Sequence, residues 1–199
     1  MKIEFAEIET RSERKRVQEL YNKVIPSHEE WTFYAFWWKR KRSNVSFLNI
    51  YDGDKWLGFI FYSLYKGLIY VWYFALDEDD GRVVSTNDIE ESVCPDTYGK
   101  VLFATLAQKY PNHRILLPVN SENEDGENVE QCLRIKQYYE KCGFRETGYF
   151  TREKNDSFEL MLIGETFDIE ELYSTYRSVY PLLGRLVIEG STRNQIQKK

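Results

Sequence analysis

The fold is decided by the stretch Glu127–Thr147, E-N-V-E-Q-C-L-R-I-K-Q-Y-Y-E-K-C-G-F-R-E-T. It begins with a capping pattern, because Asn128 can cap a helix and Gln131 follows three residues later. Side chains then recur at helical spacing to form one apolar face: Val129, Cys132, Ile135, Tyr139 and Cys142. Gly143 is a natural left-handed helix stop, and Phe144 leads into a strand. The stretch therefore predicts a capped helix that ends directly before a strand.

The N-terminal part of the chain predicts one strand followed by two helices. Apolar and charged residues alternate over Lys2–Ile8, as in a strand with one buried face. Two capping boxes then open the helices, Thr10 with Glu13 and Ser27 with Glu30. The first helix is predicted over Arg11–Lys23, and the second is short, aromatic and ends in the basic run Lys39–Arg42.

The middle of the chain predicts three consecutive strands rich in aromatic and β-branched residues, over Val45–Tyr51, Trp56–Tyr65 and Leu68–Leu76. Asp52-Gly53 is a strong hairpin signal between the first two strands. The acidic segment Asp77–Thr97 has no periodicity, so we expect a long loop there.

The rest of the chain alternates helices with strands. Besides the helix quoted above, we predict helices over Tyr98–Tyr110 and Asp168–Arg177 and strands over Ile115–Val119, Arg145–Arg152 and Ser157–Ile163. Helices interleaved with a mixed sheet indicate an α/β or α+β layer fold. We expect a single domain over residues 1–190, followed by a polar, frayed tail over residues 191–199.

Composition excludes several classes of function. Hydrophobic residues make up 42% of the 199 residues and charged residues 30%, which is typical of a globular domain. The formal net charge of −5 disfavours a nucleic-acid partner, because proteins that bind nucleic acids without sequence preference are usually basic. No apolar run approaches the ~18 residues that span a membrane, and the N-terminus lacks a signal-peptide pattern. We therefore expect a soluble, cytoplasmic protein with no membrane partner.

Cysteine and histidine usage predicts neither a disulfide nor a metal site. Cys132 and Cys142 are roughly 15 Å apart along the predicted helix, which is too far for a disulfide. The third thiol is Cys94, and the chain has no C-x-x-C pair and only two histidines. Unpaired thiols fit a reducing compartment.

Two segments carry a resemblance to a known family. K-Q-Y-Y-E-K-C-G-F-R-E-T-G at 136–148 is similar to the Y-E-K-x-G-F signature of the GNAT family of acyl-CoA N-acyltransferases. Y-G-K-V-L-F-A-T-L at 98–106 matches the start of the helix that follows the family's cofactor loop. With the element order, the resemblance extends over Lys2–Ile163. It implies the GNAT fold, a mixed and mostly antiparallel sheet of about seven strands flanked by helices.

The resemblance implies acetyl-CoA as co-substrate. In such enzymes the pantetheine arm lies between the strands that match Leu68–Leu76 and Ile115–Val119, and the pyrophosphate lies at the next helix N-terminus, a ready anion site. Carried over to this chain, the cofactor contacts are Phe74, Leu76, Tyr98, Gly99, Lys100 and Asn128. The alternative role of Asn128 is that of a helix cap.

The turn before this helix departs from the family pattern (Q/R)-x-x-G-x-(G/A). Thr97 stands at the middle glycine, Cys94 stands at the Gln or Arg position, and Asp96 adds a negative charge where a diphosphate would lie. Two interpretations follow. The loop still closes on acetyl-CoA through its backbone, or the chain is a catalytically degenerate GNAT-fold protein with a binding or regulatory role.

Tyr139 matches the family tyrosine whose hydroxyl protonates the departing CoA thiolate. A phenol with a pKa near 10 suits that step. As a member of the apolar helix face, Tyr139 can equally be a core aromatic, and its neighbour Tyr138 is expected to point elsewhere. The sequence does not single out a general base, and the nearest carboxylates are Glu30, Asp77, Glu78 and Glu122.

The resemblance places the acceptor among the first two helices and the last hairpin. The candidates on the second helix are Glu30, Trp31 and Tyr34, because carboxylates beside aromatic rings suit a cationic amine. The alternative is an amphipathic helix packed on the sheet. The implied reaction moves an acetyl group to a primary amine of a small molecule or peptide. The fold often dimerises, so a homodimer is one state that the resemblance allows.

Overall fold

The computed structural model describes residues 2–24, 30–40, 44–77, 83–85, 96–121, 129–153, 156–179 and 197–198. The strands are β1 (Ile3–Glu7), β2 (Val45–Asp52), β3 (Lys55–Tyr65), β4 (Leu68–Asp77), β5 (Val83–Ser85), β6 (Arg114–Asn120), β7 (Arg145–Glu153), β8 (Asp156–Ile163) and β9 (Gln197–Lys198). The helices are α1 (Arg11–Val24), α2 (Glu30–Lys39), α3 (Asp96–Lys109), α4 (Val129–Lys141) and α5 (Ile169–Val179).

All the described strands belong to one sheet in the order β1-β2-β3-β4-β6-β8-β7-β9, and β5 pairs with β4 outside that path. The pair β4–β6 is parallel and the other described pairs are antiparallel. The predicted mixed, mostly antiparallel sheet with seven main strands is therefore confirmed. α3 lies in the connection between β4 and β6, as a crossover between parallel strands requires.

Two short strands were not predicted. β5 lies inside the segment Asp77–Thr97 that was expected to be a loop, and β9 lies inside the tail that was expected to be frayed. β9 pairs with β7 at Tyr149 and Phe150. Strands of two or three residues carry no readable periodicity, so only their pairing partners reveal them.

The predicted helix signals form as expected where the structure describes them. At the start of α1, Glu13 N donates to Thr10 Oγ1 at 3.1 Å and Thr10 N donates to Glu13 Oε2 at 2.8 Å, which is a complete capping box. At the end of α4, Gly143 has a φ of 96° and Phe144 N donates to Tyr139 O at 3.0 Å. The predicted cap Ser27 lies outside the described residues.

The helices form two layers on opposite faces of the sheet. α3 and α4 bury their apolar side chains against one face, together with Ile115, Leu117 and Met161 from β6 and β8. α1, α2 and α5 cover the other face, where Tyr21, Phe33 and Leu172 are buried.

Tyr138, which was expected to point elsewhere than Tyr139, is also buried: it is 5% exposed and belongs to the core cluster beneath α3 and α4. The reason is that α4 packs on both the sheet and α3, so two of its sides are covered. At the α3 contact Gly99 is buried, and a Cβ there would overlap the Tyr138 hydroxyl and lie 2.8 Å from Cys142 Sγ. Only glycine allows this close helix approach.

α5 is tied to the start of β6 by a pair of hydrogen bonds between charged groups. The Arg114 guanidinium donates to both Glu171 carboxylate oxygens at 2.9 Å, and its Nη1 also donates to Thr166 O at 2.8 Å. Glu171 also accepts from Asp168 N at 2.9 Å. The hydrogen bonds from Arg114, opposed by partial burial, lower the pKa of the Glu171 carboxyl.

Replacing Glu171 by Gln is expected to lower the free energy of unfolding at pH 7 by about 1–2 kcal/mol, because charge-assisted hydrogen bonds are lost. The pKa of Glu171 is lower in the folded than in the unfolded protein, so its contribution is present above the unfolded pKa near 4.3 and is lost as pH falls through the folded value. Urea unfolding of Glu171→Gln and of the exposed control Glu165→Gln, at pH 7 and pH 3, measures both effects. An equal loss of unfolding free energy in the two variants would show that the Arg114–Glu171 pair does not stabilise the fold.

Replacing Gly99 by Ala is expected to destabilise the protein by about 1–3 kcal/mol, because the added methyl group overpacks the contact with Tyr138 and Cys142. The higher helix propensity of Ala, worth about 1 kcal/mol, offsets only part of that loss. Adding Tyr138→Phe removes the hydroxyl that the methyl group would overlap, so the double variant should recover part of the stability. Thermal unfolding of the three proteins tests this, and wild-type stability in Gly99→Ala would show that the helices can separate at no cost.

Candidate functional site

The main opening in the sheet is the gap where β4 and β6 diverge. Their parallel ladder covers only the pairs Leu68 with Arg114, Ile69 with Ile115 and Tyr70 with Leu116, although β4 continues to Asp77 and β6 to Asn120. Pro118 on β6 has no N–H to donate, and proline is tolerated in sheets where a ladder bond is not needed. The strands therefore separate toward their carboxyl ends, the position where open α/β sheets bind ligands.

A bulge in β4 decides which side chains face the two helix layers at this gap. Phe61 pairs with Tyr73 but Tyr62 pairs with Val71, so Trp72 is an extra residue in the ladder with β3. Trp72 and Tyr73 therefore both face the layer of α1, α2 and α5. Beyond the bulge, Phe74 and Leu76 face α3 and α4.

Phe74 and Tyr139 lie close together in the structure. The resemblance assigns a cofactor contact to Phe74 and proton donation to Tyr139. The Phe74 and Tyr139 ring centroids are 6.3 Å apart in an edge-to-face arrangement, and both side chains are fully buried. Phe144 packs 5.6 Å from Tyr139, and Phe103 packs 4.7 Å from Phe144. The Tyr139 hydroxyl is buried in this aromatic cluster beside the gap. The position suits both a core aromatic and a proton donor to a ligand in the gap.

The predicted pyrophosphate site corresponds to the first turns of α3. Tyr98 is half-buried, Gly99 is buried against α4, and Lys100 is exposed. Asp96 and Thr97 are the first two residues of the helix, so α3 begins two residues before its predicted start. Cys94 and Asn128 lie outside the described residues.

The acceptor candidates are on the opposite side of the sheet from Tyr139. Glu30 and Trp31 belong to α2, and their side chains lie outside the described residues. Tyr34 is 53% exposed, and its hydroxyl accepts a hydrogen bond from Gln18 Nε2 at 2.8 Å. α2 buries Phe33 in the core of the α1 and α2 layer, which is what the packing alternative predicts.

Among the base candidates, the structure describes the position of Asp77 and the helical backbone of Glu30, whereas Glu78 and Glu122 lie outside the described residues. The Asp77 carboxylate is 4.0 Å from Lys23 Nζ, and both side chains are largely exposed. That contact is a weak surface ion pair.

A buried carboxylate that the sequence reasoning missed lies on β8. Glu159 is 5% exposed and pairs with Lys136 of α4 at 2.8 Å, and Glu146 of β7 binds the same ammonium at 2.6 Å. Burial lowers the pKa of Lys136, but the hydrogen bonds to both carboxylates outweigh burial and raise it. The group is therefore a structural ion cluster between α4 and the sheet. Its only signal in sequence was a charged residue within the apolar run F-E-L-M-L.

Metal sites and membrane-spanning helices are absent from the described ranges. No three His, Cys, Asp or Glu side chains in these ranges are grouped so that they could hold a metal ion. The described helices include none with the length and apolar character needed to cross a membrane. Cys132 and Cys142 are not joined by a disulfide.

The sequence matches no protein-family model and no curated protein. Solved structures, in contrast, are similar over most of the chain. A protein assigned as a GNAT-family acetyltransferase from Bacteroides thetaiotaomicron has a TM-score of 0.55 at 19% identity, with 94% of this chain and 96% of that chain covered. An aminoglycoside 6'-N-acetyltransferase complexed with coenzyme A has a TM-score of 0.54 at 13% identity, with 84% and 100% covered.

The ribosomal-protein-S18-alanine N-acetyltransferase from Escherichia coli is also similar, with a TM-score of 0.52 at 14% identity and with 83% of this chain and 99% of that chain covered. At these identities the similarity concerns the fold. The order of strands, the divergence of β4 from β6 and the α3 crossover agree with the resemblance read from the sequence. The protein therefore has the fold of the GNAT family of acetyltransferases.

Proposed function

We propose that the protein is an N-acetyltransferase that transfers an acetyl group from acetyl-CoA to a primary amine. The observation that carries the proposal is the gap between β4 and β6, because it opens at the carboxyl ends of a parallel pair beside a helix N-terminus. The N-terminus of α3 offers backbone N–H groups and a positive dipole end to the pyrophosphate. Lys100, exposed in the first turns, adds a charge that a diphosphate would neutralise.

The proposed reaction is direct transfer of the acetyl group. The neutral amine attacks the thioester carbonyl, and the C–S bond breaks as the new C–N bond forms. Backbone N–H groups of β4 at the gap stabilise the negative charge on the carbonyl oxygen. Tyr139 donates its hydroxyl proton to the departing thiolate, and the amine proton leaves to a base or through water.

The proposed acceptor is the amine of a small molecule or of a peptide. Two of the similar solved structures support both kinds of acceptor, since one is an aminoglycoside acetyltransferase and the other is a ribosomal-protein-alanine acetyltransferase. We propose a cytoplasmic location, because Cys132 and Cys142 are not joined by a disulfide and this fits a reducing compartment.

Calorimetric titration with acetyl-CoA tests the cofactor part of the proposal. We expect binding by the wild-type protein and an affinity about tenfold lower in Lys100→Gln, because one charge near the pyrophosphate is lost. The matched control is Lys109→Gln, which removes an exposed lysine from the other end of the same helix. Equal affinities in the two variants would show that Lys100 does not contact the cofactor, and no binding by the wild-type protein even at millimolar acetyl-CoA would count against the proposed function.

Replacing Tyr139 by Phe is expected to lower kcat by roughly 100-fold with little change in acetyl-CoA affinity, because a general acid contributes to turnover and not to ground-state binding. Stability should change little, since Phe keeps the buried ring. Tyr138→Phe is the control on the same buried part of α4. The measurement is thiol release with an amine acceptor, and unchanged turnover in Tyr139→Phe would leave Tyr139 with a packing role alone.

A further inference from the structure

The edge of β4 that faces the gap is occupied at both of its ends. β3 pairs with β4 along one edge, from Gly58 opposite Leu76 to Tyr65 opposite Leu68. The other edge is shared, because β6 pairs with it over Leu68–Tyr70 and β5 pairs with it over Ala75–Asp77. β5 therefore lies on the gap side of β4, at the end where the gap is open.

This position coincides with the edge that the proposed cofactor needs. The pantetheine arm is an extended chain with two amide groups, so it binds a strand edge as an added strand would, through main-chain hydrogen bonds. Leu76, one of the two predicted backbone contacts, is the residue directly opposite Val84 of β5. The other predicted contact, Phe74, is the residue before the β5 ladder begins. A strand and a pantetheine arm cannot use the same edge of Leu76 at once.

We propose that β5 is an autoinhibitory strand that closes the cofactor gap and must leave β4 before acetyl-CoA binds. This inference rests on the proposed function, since it concerns how that function is regulated. Release of β5 frees the backbone of Ala75–Asp77 for the cofactor, and its return displaces the CoA product.

The contacts of β5 suit a strand that detaches. Its ladder has three residue pairs, Ala75 with Ser85, Leu76 with Val84 and Asp77 with Val83, whereas the ladder of β3 with β4 extends from Leu68 to Leu76. A ladder this short carries few hydrogen bonds, each of modest net strength in water, so we expect a penalty on cofactor affinity of roughly tenfold or more. The rest of β4 stays in place, because β3 holds its other edge.

The first test locks β5 in place with a reversible disulfide. Asp77→Cys and Val83→Cys introduce thiols at directly opposite positions of the ladder, in a Cys94→Ser background that removes a competing thiol. Acetyl-CoA is the ligand for calorimetry because its sulfur is blocked, and TCEP is the reductant because it carries no thiol. The oxidised protein should lose acetyl-CoA binding, and reduction should restore it. The two single-cysteine variants, treated in the same way, are the controls.

The second test opens the gap. The double variant Val83→Pro, Val84→Pro removes two successive backbone N–H groups. Because successive N–H groups of a strand point to opposite edges, one of the two is the donor that faces β4, and it is lost. The matched control, Val83→Thr with Val84→Thr, keeps both N–H groups and the β-branched shape. The proline variant should bind acetyl-CoA about tenfold or more tightly than the threonine variant.

The outcomes separate the inference from the proposed function. If the locked, reduced and proline proteins bind acetyl-CoA with the same affinity, the cofactor site stands and the autoinhibitory role of β5 is overturned. If none of them binds acetyl-CoA, even with β5 displaced, the proposed function itself fails and the inference fails with it. Loss of binding in the locked form with gain in the proline form supports both.

Discussion

Backbone hydrogen bonds join β4 to β6 at three residue pairs, and beyond Tyr70 and Leu116 the two strands separate. This short parallel ladder connects two antiparallel halves of the sheet, β1–β4 and β6–β9. Because parallel strands need a long connection, it also requires the α3 crossover between them. The gap, the helix N-terminus beside it and the aromatic cluster at Tyr139 all follow from this one arrangement.

The packing of α3 on α4 links the proposed cofactor turn to the core. Gly99 lies against the hydroxyl of Tyr138 and the thiol of Cys142, so its lack of a side chain already has a structural reason. A glycine at this position brings the α3 backbone close to α4, and Tyr139 is the next residue after Tyr138. The position of the helix N-terminus and the position of the proposed acid are therefore set by the same contact.

The departure of the sequence from the family pattern lies in the connection between β4 and α3. The sequence of that connection lacks the middle glycine of the cofactor loop, and its described part contains β5, which pairs with the gap edge of β4. The Tyr139 segment, the Gly143 stop and the divergent strands agree with the family pattern. Occupation of that edge by β5 is the basis of the proposed restriction on acetyl-CoA binding.

Sequence patterns predicted the main strands and helices to within a few residues, because capping boxes, glycine stops and apolar periodicity are local signals. Sequence patterns also carried the resemblance to the GNAT family, which implied the fold. They could not predict β5, β9, the burial of Tyr138 or the Lys136–Glu159 pair, since each depends on a partner distant in the chain. The sequence by itself thus determined the elements and their order. The tertiary structure alone decided which strand edges are occupied and which side chains meet, because strand pairing and helix packing are contacts between segments that no local pattern encodes.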